Sequence, residues 1–248
     1  MKDDDRVTTR DVNAEVERIL ALKPDVAVSV VDAFVEFVVA PLTKKLDSLS
    51  PSDVARRNPF VYAALGVTSV EEWTRRAAAD IAASSIEGLV GNWLEEVALV
   101  VSGGTKPGSG ADLQVDREEG GTRVVDVYSI QSTTNTKNAG GRRSDEAALN
   151  EHARVLRAQR RHVDLFVGYL FGRQRTTTLR GVTHLRSTEF WDRVSGQEGF
   201  LRRLFLAMSA LSTLLAGRLN EDWRPLTSDV LKKYGSADGS VDPQKLRL

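Results

Sequence analysis

The residues with the clearest chemistry lie in one stretch, residues 103–138. A glycine-rich run (GGTKPGSG) leads to Asp112, a short strand follows, and a turn at residues 119–121 leads into a second strand of β-branched and aromatic residues. The glycines of this turn predict a tight hairpin. The second strand ends in small polar residues that include Ser129 and Gln131. A carboxylate at the start of one strand, beside polar side chains on the next, favours a divalent metal held against a phosphodiester.

Alternation along the second strand divides its side chains into two sets. Ser129 and Gln131 point to one side, and the intervening residues point to the other side. Asp126 and Tyr128 form an alternative acid-x-base pair on that opposite face, and both registers stay open at this point. Asp116, in the charged turn, is either a second metal ligand or a solvated acid.

Two carboxylates share one face of the helix predicted before the hairpin. Glu87, Gly91 and Glu95 follow one another at intervals of four residues, which places them on one helical stripe. One interpretation is an exposed polar face. The other is that Glu87 or Glu95 leans toward Asp112 as an outer metal ligand.

The composition excludes several kinds of site. The 248 residues contain no cysteine, so disulfides, thiolate metal sites and thiol catalysis are excluded. The three histidines are scattered and lack the spacing of zinc ligands. The glycine-rich run lacks the G-x-x-x-x-G-K-[ST] pattern of a phosphate-binding loop. Its expected use is to let backbone pass close to DNA or to Asp112.

The chain is expected to act in the cytoplasm, without a membrane. Its charged start (MKDDDR) differs from a signal peptide. The apolar run at 26–39 is interrupted by Asp32 and Glu36, so we expect no membrane span.

Charge is balanced overall but uneven along the chain. The net charge is zero, whereas residues 133–187 are rich in basic side chains. These are Lys137, Arg142, Arg143, Arg154, Arg157, Arg160, Arg161, Arg173, Arg175, Arg180 and Arg186. A basic stripe after an acidic centre suits a metal site against a phosphate backbone. Solvated helix faces are the alternative, and charge alone does not separate the two.

The predicted elements run from helices through the hairpin to a helix, one or two strands and further helices. They are helices at 11–22, 25–40, 69–83 and 84–101, the hairpin at 113–131, a helix capped near Ser144 and ending near 161, strands at 162–172 and 179–185, and helices at 187–195 and 200–219. This order predicts an α/β fold with a small central mixed sheet flanked by helices. We expect a helical N-terminal region over 1–66, a core over 67–225 and a polar C-terminal tail over 226–248.

Five motifs occur in an order that resembles a group of type II restriction endonucleases of the PD-(D/E)XK superfamily. They are NPF from residue 58, SSIEGLVGNWLE from 84, GADL from 110, SIQSTTNTKN from 129 and FWDRVSG from 190. The resemblance covers roughly residues 58–219, and it implies a restriction endonuclease-like core for the central region. It further implies sequence-specific cleavage of double-stranded DNA with Mg²⁺ as cofactor.

The resemblance assigns roles to individual residues. Asp112 matches the metal-binding aspartate, Gln131 stands at the catalytic lysine, and Ser129 stands at the acidic residue two positions before it. A helix can supply the missing carboxylate, and the candidates are Glu95, Glu87 and Glu146.

Gln131 is the main departure from the family pattern. An amide orients water by hydrogen bonding but brings no charge. Lys137, a few residues further on, is a candidate source of that charge. The alternative is a site that has lost cleavage and retains DNA binding.

The resemblance also implies how the protein meets DNA. Base edges would be read from the loop and helix after the hairpin, through Asn135, Asn138, Arg142 and Arg143, with Lys137 nearby. Arg154, Arg157 and Arg161 would contact phosphates. A homodimer is expected because palindromic DNA has two-fold symmetry, and its interface would lie in the N-terminal apolar helices or in residues 200–215.

Overall fold

The computed structural model describes residues 8–132, 139–172, 175–219 and 223–246, with the side chains of 139–143 and 217–219 also left aside. The chain divides into two compact units. The first comprises Met1–Phe34 and Gly91–Thr213, and the second comprises Val35–Val90 and Leu214–Leu248. This division differs from the boundaries expected from the sequence, which lie between residues 66 and 67 and between residues 225 and 226.

A mixed sheet forms the centre of the first unit. Its strands are β1 (Leu113–Glu119), β2 (Thr122–Gln131), β3 (His162–Tyr169), β4 (Thr177–Leu179) and β5 (Val182–Leu185), in the spatial order β1-β2-β3-β5-β4. Strands β2, β3 and β5 run parallel, while β1 and β4 are antiparallel to their neighbours at the two edges. The prediction of an α/β fold with a small mixed sheet is therefore confirmed.

Two-residue turns with left-handed backbone close both hairpins. Gly120 and Gly121 have φ of +58° and +80°, as the mirror-image turns of tight hairpins require. Arg180 and Gly181, with φ of +53° and +78°, do the same between β4 and β5. The single strand predicted over 179–185 is therefore wrong, because this turn folds the segment back on itself.

The described residues form ten α-helices, which belong to both units. They are α1 (Thr9–Leu20), α2 (Pro24–Phe34), α3 (Ala40–Asp47), α4 (Pro51–Ala55), α5 (Pro59–Ala64), α6 (Val70–Ser102), α7 (Ala139–Ala158), α8 (Ser187–Ser195), α9 (Phe200–Leu219) and α10 (Arg224–Tyr234). A π-helical turn, Val35–Val39, joins α2 to α3. It ends two residues before Pro41, whose missing N–H removes one bond of the regular helical ladder.

Helix α6 is continuous where two helices were predicted. Ser69 caps its start by accepting a hydrogen bond from the Glu72 N–H at 3.2 Å. Ser84 and Ser85 were expected to open a second helix, but their hydroxyls donate to the Asp80 and Ile81 carbonyls at 2.7 and 2.8 Å. Their side chains therefore bond back within the helix instead of capping a new one.

By length and composition alone, the helical stretch Pro24–Asp47 is long and apolar enough to cross a membrane. Its 24 residues include a window of mean hydropathy 1.9, of which 39% is buried. The expectation that Asp32 and Glu36 exclude such a span on composition is therefore wrong. A buried helix in a soluble protein passes the same test, and Val30 and Phe34 are fully buried in this one.

The sheet of the first unit has two different faces. Val125 and Val127 of β2 join the core cluster that contains Leu149 and Ala153 of α7. On the other face, Tyr128 stacks on Phe166 at 5.0 Å between ring centroids and meets Phe190 of α8 edge-on at 5.9 Å. Odd-numbered residues of β2 therefore face α7 and even-numbered residues face α8, which confirms the predicted alternation.

The second unit has its own apolar core and an ordered C-terminal segment. Val54, Tyr62, Val70 and Trp73 cluster with Val230 of α10. Residues beyond α10 form isolated bridges, Gly235 with Val241 and Ser240 with Ser69. The segment predicted as a polar tail is thus paired with the rest of this unit.

Candidate active site

Asp112 lies at the end of the β1–β2 hairpin, directly before β1. Its N–H donates to the Tyr128 carbonyl at 2.8 Å. Its Oδ2 accepts from the Ile130 N–H at 2.7 Å, in place of the backbone carbonyl that would continue the ladder. The carboxylate is therefore held against the backbone of Ile130, between Ser129 and Gln131 in the chain.

Hydrogen bonds place the Asp112 carboxylate beside the segment of β2 that bears Ser129 and Gln131. The regular pairing of β1 with β2 begins at Leu113 and Tyr128, and the Asp112 N–H donates to the carbonyl of that same Tyr128, so the strand alternation does not extend to Asp112. Gln114, two residues on, faces α7, because its Oε1 lies 3.3 Å from His152 Nε2. Asp112 meets the backbone between Ser129 and Gln131 at one end of the sheet.

The glycine-rich run packs tightly against β1 on one side and against α7 on the other. Thr105 and Gln114 exchange two backbone hydrogen bonds of 2.8 Å. At Gly104 an added Cβ would lie 2.6 Å from the Gln114 carbonyl oxygen. At Gly110, which has φ of +81°, it would lie 3.0 Å from the Ala148 carbonyl oxygen of α7. The glycines are needed because backbone, rather than a side chain, occupies the adjoining space.

Replacing Gly110 with alanine is expected to slow DNA cleavage by about 10- to 100-fold, because small misplacements of a catalytic group carry penalties of this size. Alanine meets both a left-handed φ and the α7 backbone, at a local cost of about 1–3 kcal/mol. Gly108→Ala is the matched control, since no atom lies within 4 Å of its added Cβ. Equal single-turnover rates for the two variants would show that the loop does not position Asp112.

Glu95 of α6 approaches the same carboxylate. Burial raises the pKa of Glu95, the negative charge of Asp112 raises it further, and the positive charge of Lys106 opposes both effects. Glu95 thus lies in the electrostatic field of both Asp112 and Lys106. One turn earlier on α6, a Cβ added at Gly91 would lie 3.9 Å from the Ser132 hydroxyl oxygen, just past the end of β2. Glu87 is exposed and belongs to the second unit, so its role as a metal ligand stays a prediction.

Glu95→Gln is expected to stabilise the metal-free protein at neutral pH. When the pKa of a carboxyl is higher in the folded state, the free energy of unfolding falls as pH rises, because ionisation is easier in the unfolded chain. The advantage of the variant should be absent below about pH 4 and should grow toward pH 7. Urea unfolding in EDTA measures it, with Glu96→Gln as control. A variant that is less stable than the wild type at pH 7 would contradict the raised pKa.

Gln131 is held by an acid that the sequence reasoning did not select. Its side chain is 4% exposed, and Nε2 donates to Asp145 Oδ2 of α7 at 2.9 Å. A carboxylate only accepts here, so the amide nitrogen faces Asp145 and Oε1 points elsewhere. The sequence predicts a helix after β2, and such a helix can pack on the face of β2 that bears Gln131. The rotation of this helix about its axis decides which of its acids meets Gln131, and the sequence pattern does not fix that rotation.

Glu146, the acid proposed from the sequence, faces a different group. Its Oε1 lies 3.7 Å from His184 Nε2, and its Oε2 lies 3.8 Å from Arg180. His184 Nδ1 is in turn 3.2 Å from the Tyr169 hydroxyl. Glu146 therefore belongs to a buried cluster over β3 and β5, one residue along the helix from the acid that meets Gln131.

The alternative pair, Asp126 and Tyr128, forms a buried ionic network on the α8 face. Asp126 is fully buried and accepts from Arg117 at 2.6 Å, Arg193 at 2.9 Å and the Tyr128 hydroxyl at 2.9 Å. Burial, followed by the charge of Asp126, raises the pKa of Tyr128. With these partners, this carboxylate is accounted for as a structural one.

The arginines predicted to contact phosphates have partners within the fold. Arg154 pairs with Glu151 at 2.6 Å, Arg157 donates to the Val163 carbonyl at 3.2 Å, and Arg161 pairs with Asp116 at 2.9 Å. Asn135, Lys137 and Asn138, and the side chains of Arg142 and Arg143, lie outside the described residues. The DNA contacts of both sets stay predictions.

The carboxylate oxygens at this end of the sheet suit a small hard cation that also binds a phosphate of the substrate. Within the part of the chain that the structure describes, there is no group of three or more acidic or histidine side chains that could hold a metal ion. Asp112 and Glu95 supply a pair of carboxylates instead. Mg²⁺ is usually bound by about one or two carboxylates, with water and substrate phosphate completing its shell. The residues present therefore fit this ion.

The comparison with known families agrees with this geometry. The family model of type II restriction endonuclease EcoO109I matches residues 27–212, more than half of the 248 residues. The match contains both acids of the pair as well as Ser129, Gln131 and Asp145. No curated protein matches the chain. The chain therefore belongs to the EcoO109I family of type II restriction endonucleases, DNA-cleaving hydrolases of the PD-(D/E)XK type.

Proposed function

We propose that this protein is a sequence-specific endonuclease that hydrolyses phosphodiester bonds in double-stranded DNA with Mg²⁺. The observation that carries the proposal is the hydrogen bond of the Asp112 carboxylate to the Ile130 N–H, which holds it between Ser129 and Gln131. Glu95 of α6 lies in the electrostatic field of the same carboxylate. Membership of a restriction endonuclease family supports the substrate and the reaction class.

In this reaction a water oxygen forms a bond to phosphorus, the bond from phosphorus to the leaving ester oxygen breaks, and the leaving oxygen takes up a proton. Asp112 and Glu95 would hold Mg²⁺, which supplies charge stabilisation at the phosphate and a lower pKa for bound water. Asp145 fixes the Gln131 amide so that Oε1 is free to accept a hydrogen bond from water. Gln131 thus orients the nucleophile without supplying charge.

The partners follow from this function as part of the same proposal. The protein would act in the cytoplasm as a homodimer, because two-fold DNA sites call for two-fold protein. Residues 133–143 and α7 would approach the bases, since they follow the strand that ends in Gln131.

A second candidate function is DNA binding without cleavage. It is favoured by one observation, that β2 carries Ser129 and Gln131 where the family pattern has an acid and a lysine. A fold that keeps its DNA surface but lacks charge at the reacting phosphate would bind its site and leave it intact.

Incubation of the purified protein with plasmid DNA of mixed sequence separates these functions. Discrete fragments in Mg²⁺ or Mn²⁺, absent in EDTA, are the result expected for the endonuclease. A gel shift with intact DNA in every metal tested would support the binding protein and overturn cleavage.

A further inference from the structure

Gln131 leaves a chemical question, because the strand position that the resemblance assigns to a lysine carries no charge. Negative charge grows on the phosphoryl oxygens during hydrolysis, and a cation placed there lowers the barrier. The sequence pointed to Lys137, which lies outside the described residues. The described part of the chain offers a different lysine, in the glycine-rich run before Asp112.

Backbone pairing places Lys106 beside this site. Thr105 and Gln114 form an antiparallel bridge through two hydrogen bonds of 2.8 Å. Lys106 follows Thr105 directly, so the bridge brings its backbone near Leu113, the neighbour of Asp112 in the chain. Close packing at Gly104 fixes the approach, since an added Cβ there would lie 2.6 Å from both the Gln114 carbonyl oxygen and Leu113 Cδ1.

Lys106 and Asp112 lie on the two sides of this bridge. Lys106 is the residue after Thr105, and Asp112 is two residues before Gln114. Lys106 itself is exposed, and it forms no ion pair within the described residues. Its ammonium is therefore available to a negatively charged ligand at the acidic pair.

We propose that Lys106 is a catalytic residue whose ammonium contacts a non-bridging oxygen of the scissile phosphate beside Asp112. This inference rests on the proposed function. The role is electrostatic: Lys106 stabilises the charge that develops on the phosphoryl oxygens, and it transfers no proton. A cation brought by the loop before Asp112 thus takes over the task of the lysine that β2 lacks.

The first test compares single-turnover cleavage of a duplex that carries the site mapped from the plasmid fragments. Lys106→Ala is expected to lower the rate by about 100-fold, the loss typical of one donor to a developing oxyanion. Lys106→Arg keeps the charge and should stay within about tenfold of the wild type. Lys23→Ala, which removes an exposed lysine of the same unit, is the control and should leave the rate unchanged.

The second test measures binding of the same duplex without any divalent metal, over a range of salt concentrations. Lys106→Ala should reduce the slope of log affinity against log salt by about 0.9, which corresponds to one phosphate contact. Lys23→Ala should leave the slope unchanged. A merely structural role for Lys106 would not move this slope.

The third test adds Gln131→Lys to Lys106→Ala. A lysine on β2 should recover at least about tenfold of the lost rate, because it restores charge at the same phosphate. No recovery would place Lys106 away from that phosphate and overturn its role.

The remaining outcomes separate this inference from the proposed function. If the wild type cleaves DNA and the cleavage rate of Lys106→Ala is within about threefold of the wild-type rate, only the role of Lys106 is overturned. The same holds if Lys137→Ala, rather than Lys106→Ala, produces the whole loss. A wild type that cleaves nothing in Mg²⁺ or Mn²⁺ overturns the proposed function, and the catalytic role falls with it.

Discussion

Asp112→Asn is expected to slow DNA cleavage by at least about 1,000-fold while leaving DNA affinity within about threefold. Asparagine keeps an oxygen for the Ile130 N–H, which Asp112 Oδ2 accepts at 2.7 Å, so the end of the hairpin stays in place. The variant removes one negative charge from the pair that would hold Mg²⁺. Single-turnover cleavage and gel-shift titration measure the two effects separately.

Asp116→Asn is the matched control for this variant. Asp116 lies on β1, four residues after Asp112, but its side chain is 61% exposed and it pairs with Arg161. Its loss should leave cleavage unchanged. An Asp112→Asn enzyme that cleaves at the wild-type rate would remove Asp112 from the catalytic site.

Asp126→Ala is expected to lower the free energy of unfolding by about 3 kcal/mol or more. Asp126 is fully buried, and its carboxylate holds Arg117, Arg193 and the Tyr128 hydroxyl. Alanine leaves these groups without their acceptor in a site closed to water. Urea unfolding followed by circular dichroism measures the loss.

The same Asp116→Asn variant is the control for stability. Its exposed pair with Arg161 should be worth less than about 1 kcal/mol. If Asp126→Ala costs no more than this, the buried network does not stabilise the first unit in the way its geometry indicates.

Local chemistry was enough to predict the part of the fold that carries the site. Two adjacent glycines require a tight turn, and β-branched residues on both sides of it require strands, so the hairpin follows from the sequence. Period-two alternation then separates the face of Ser129 and Gln131 from that of Asp126. The same parity does not reach Asp112, whose position is set by its hydrogen bonds to Tyr128 and Ile130.

The sequence was less informative where a residue has two local uses. A serine hydroxyl caps a helix start or bonds back to the carbonyl four residues earlier, and Ser84 and Ser85 do the latter. Their neighbours on both sides form helix readily, so α6 continues. Arg180 is a similar case, because its left-handed backbone is set by the pairing of β4 with β5 rather than by its own preference.

The partners of the site residues depended on helix phase, which periodicity alone does not fix. α7 begins at Ala139 rather than near Ser144. In the packed helix Asp145 meets Gln131, and Glu146 turns toward His184. Lys106 was missed for another reason: it lies in a glycine-rich loop, and only the bridge between Thr105 and Gln114 brings it to Asp112.

The pairing of Asp112 with Glu95 is tested most directly by a crystal of the protein with DNA, soaked in Mn²⁺ and measured at an anomalous wavelength. A peak within ordinary bonding distance of both carboxylates, next to a DNA phosphate, is the expected result. A peak that contacts neither carboxylate, or one that lies on the α8 face at Asp126, would contradict the assignment.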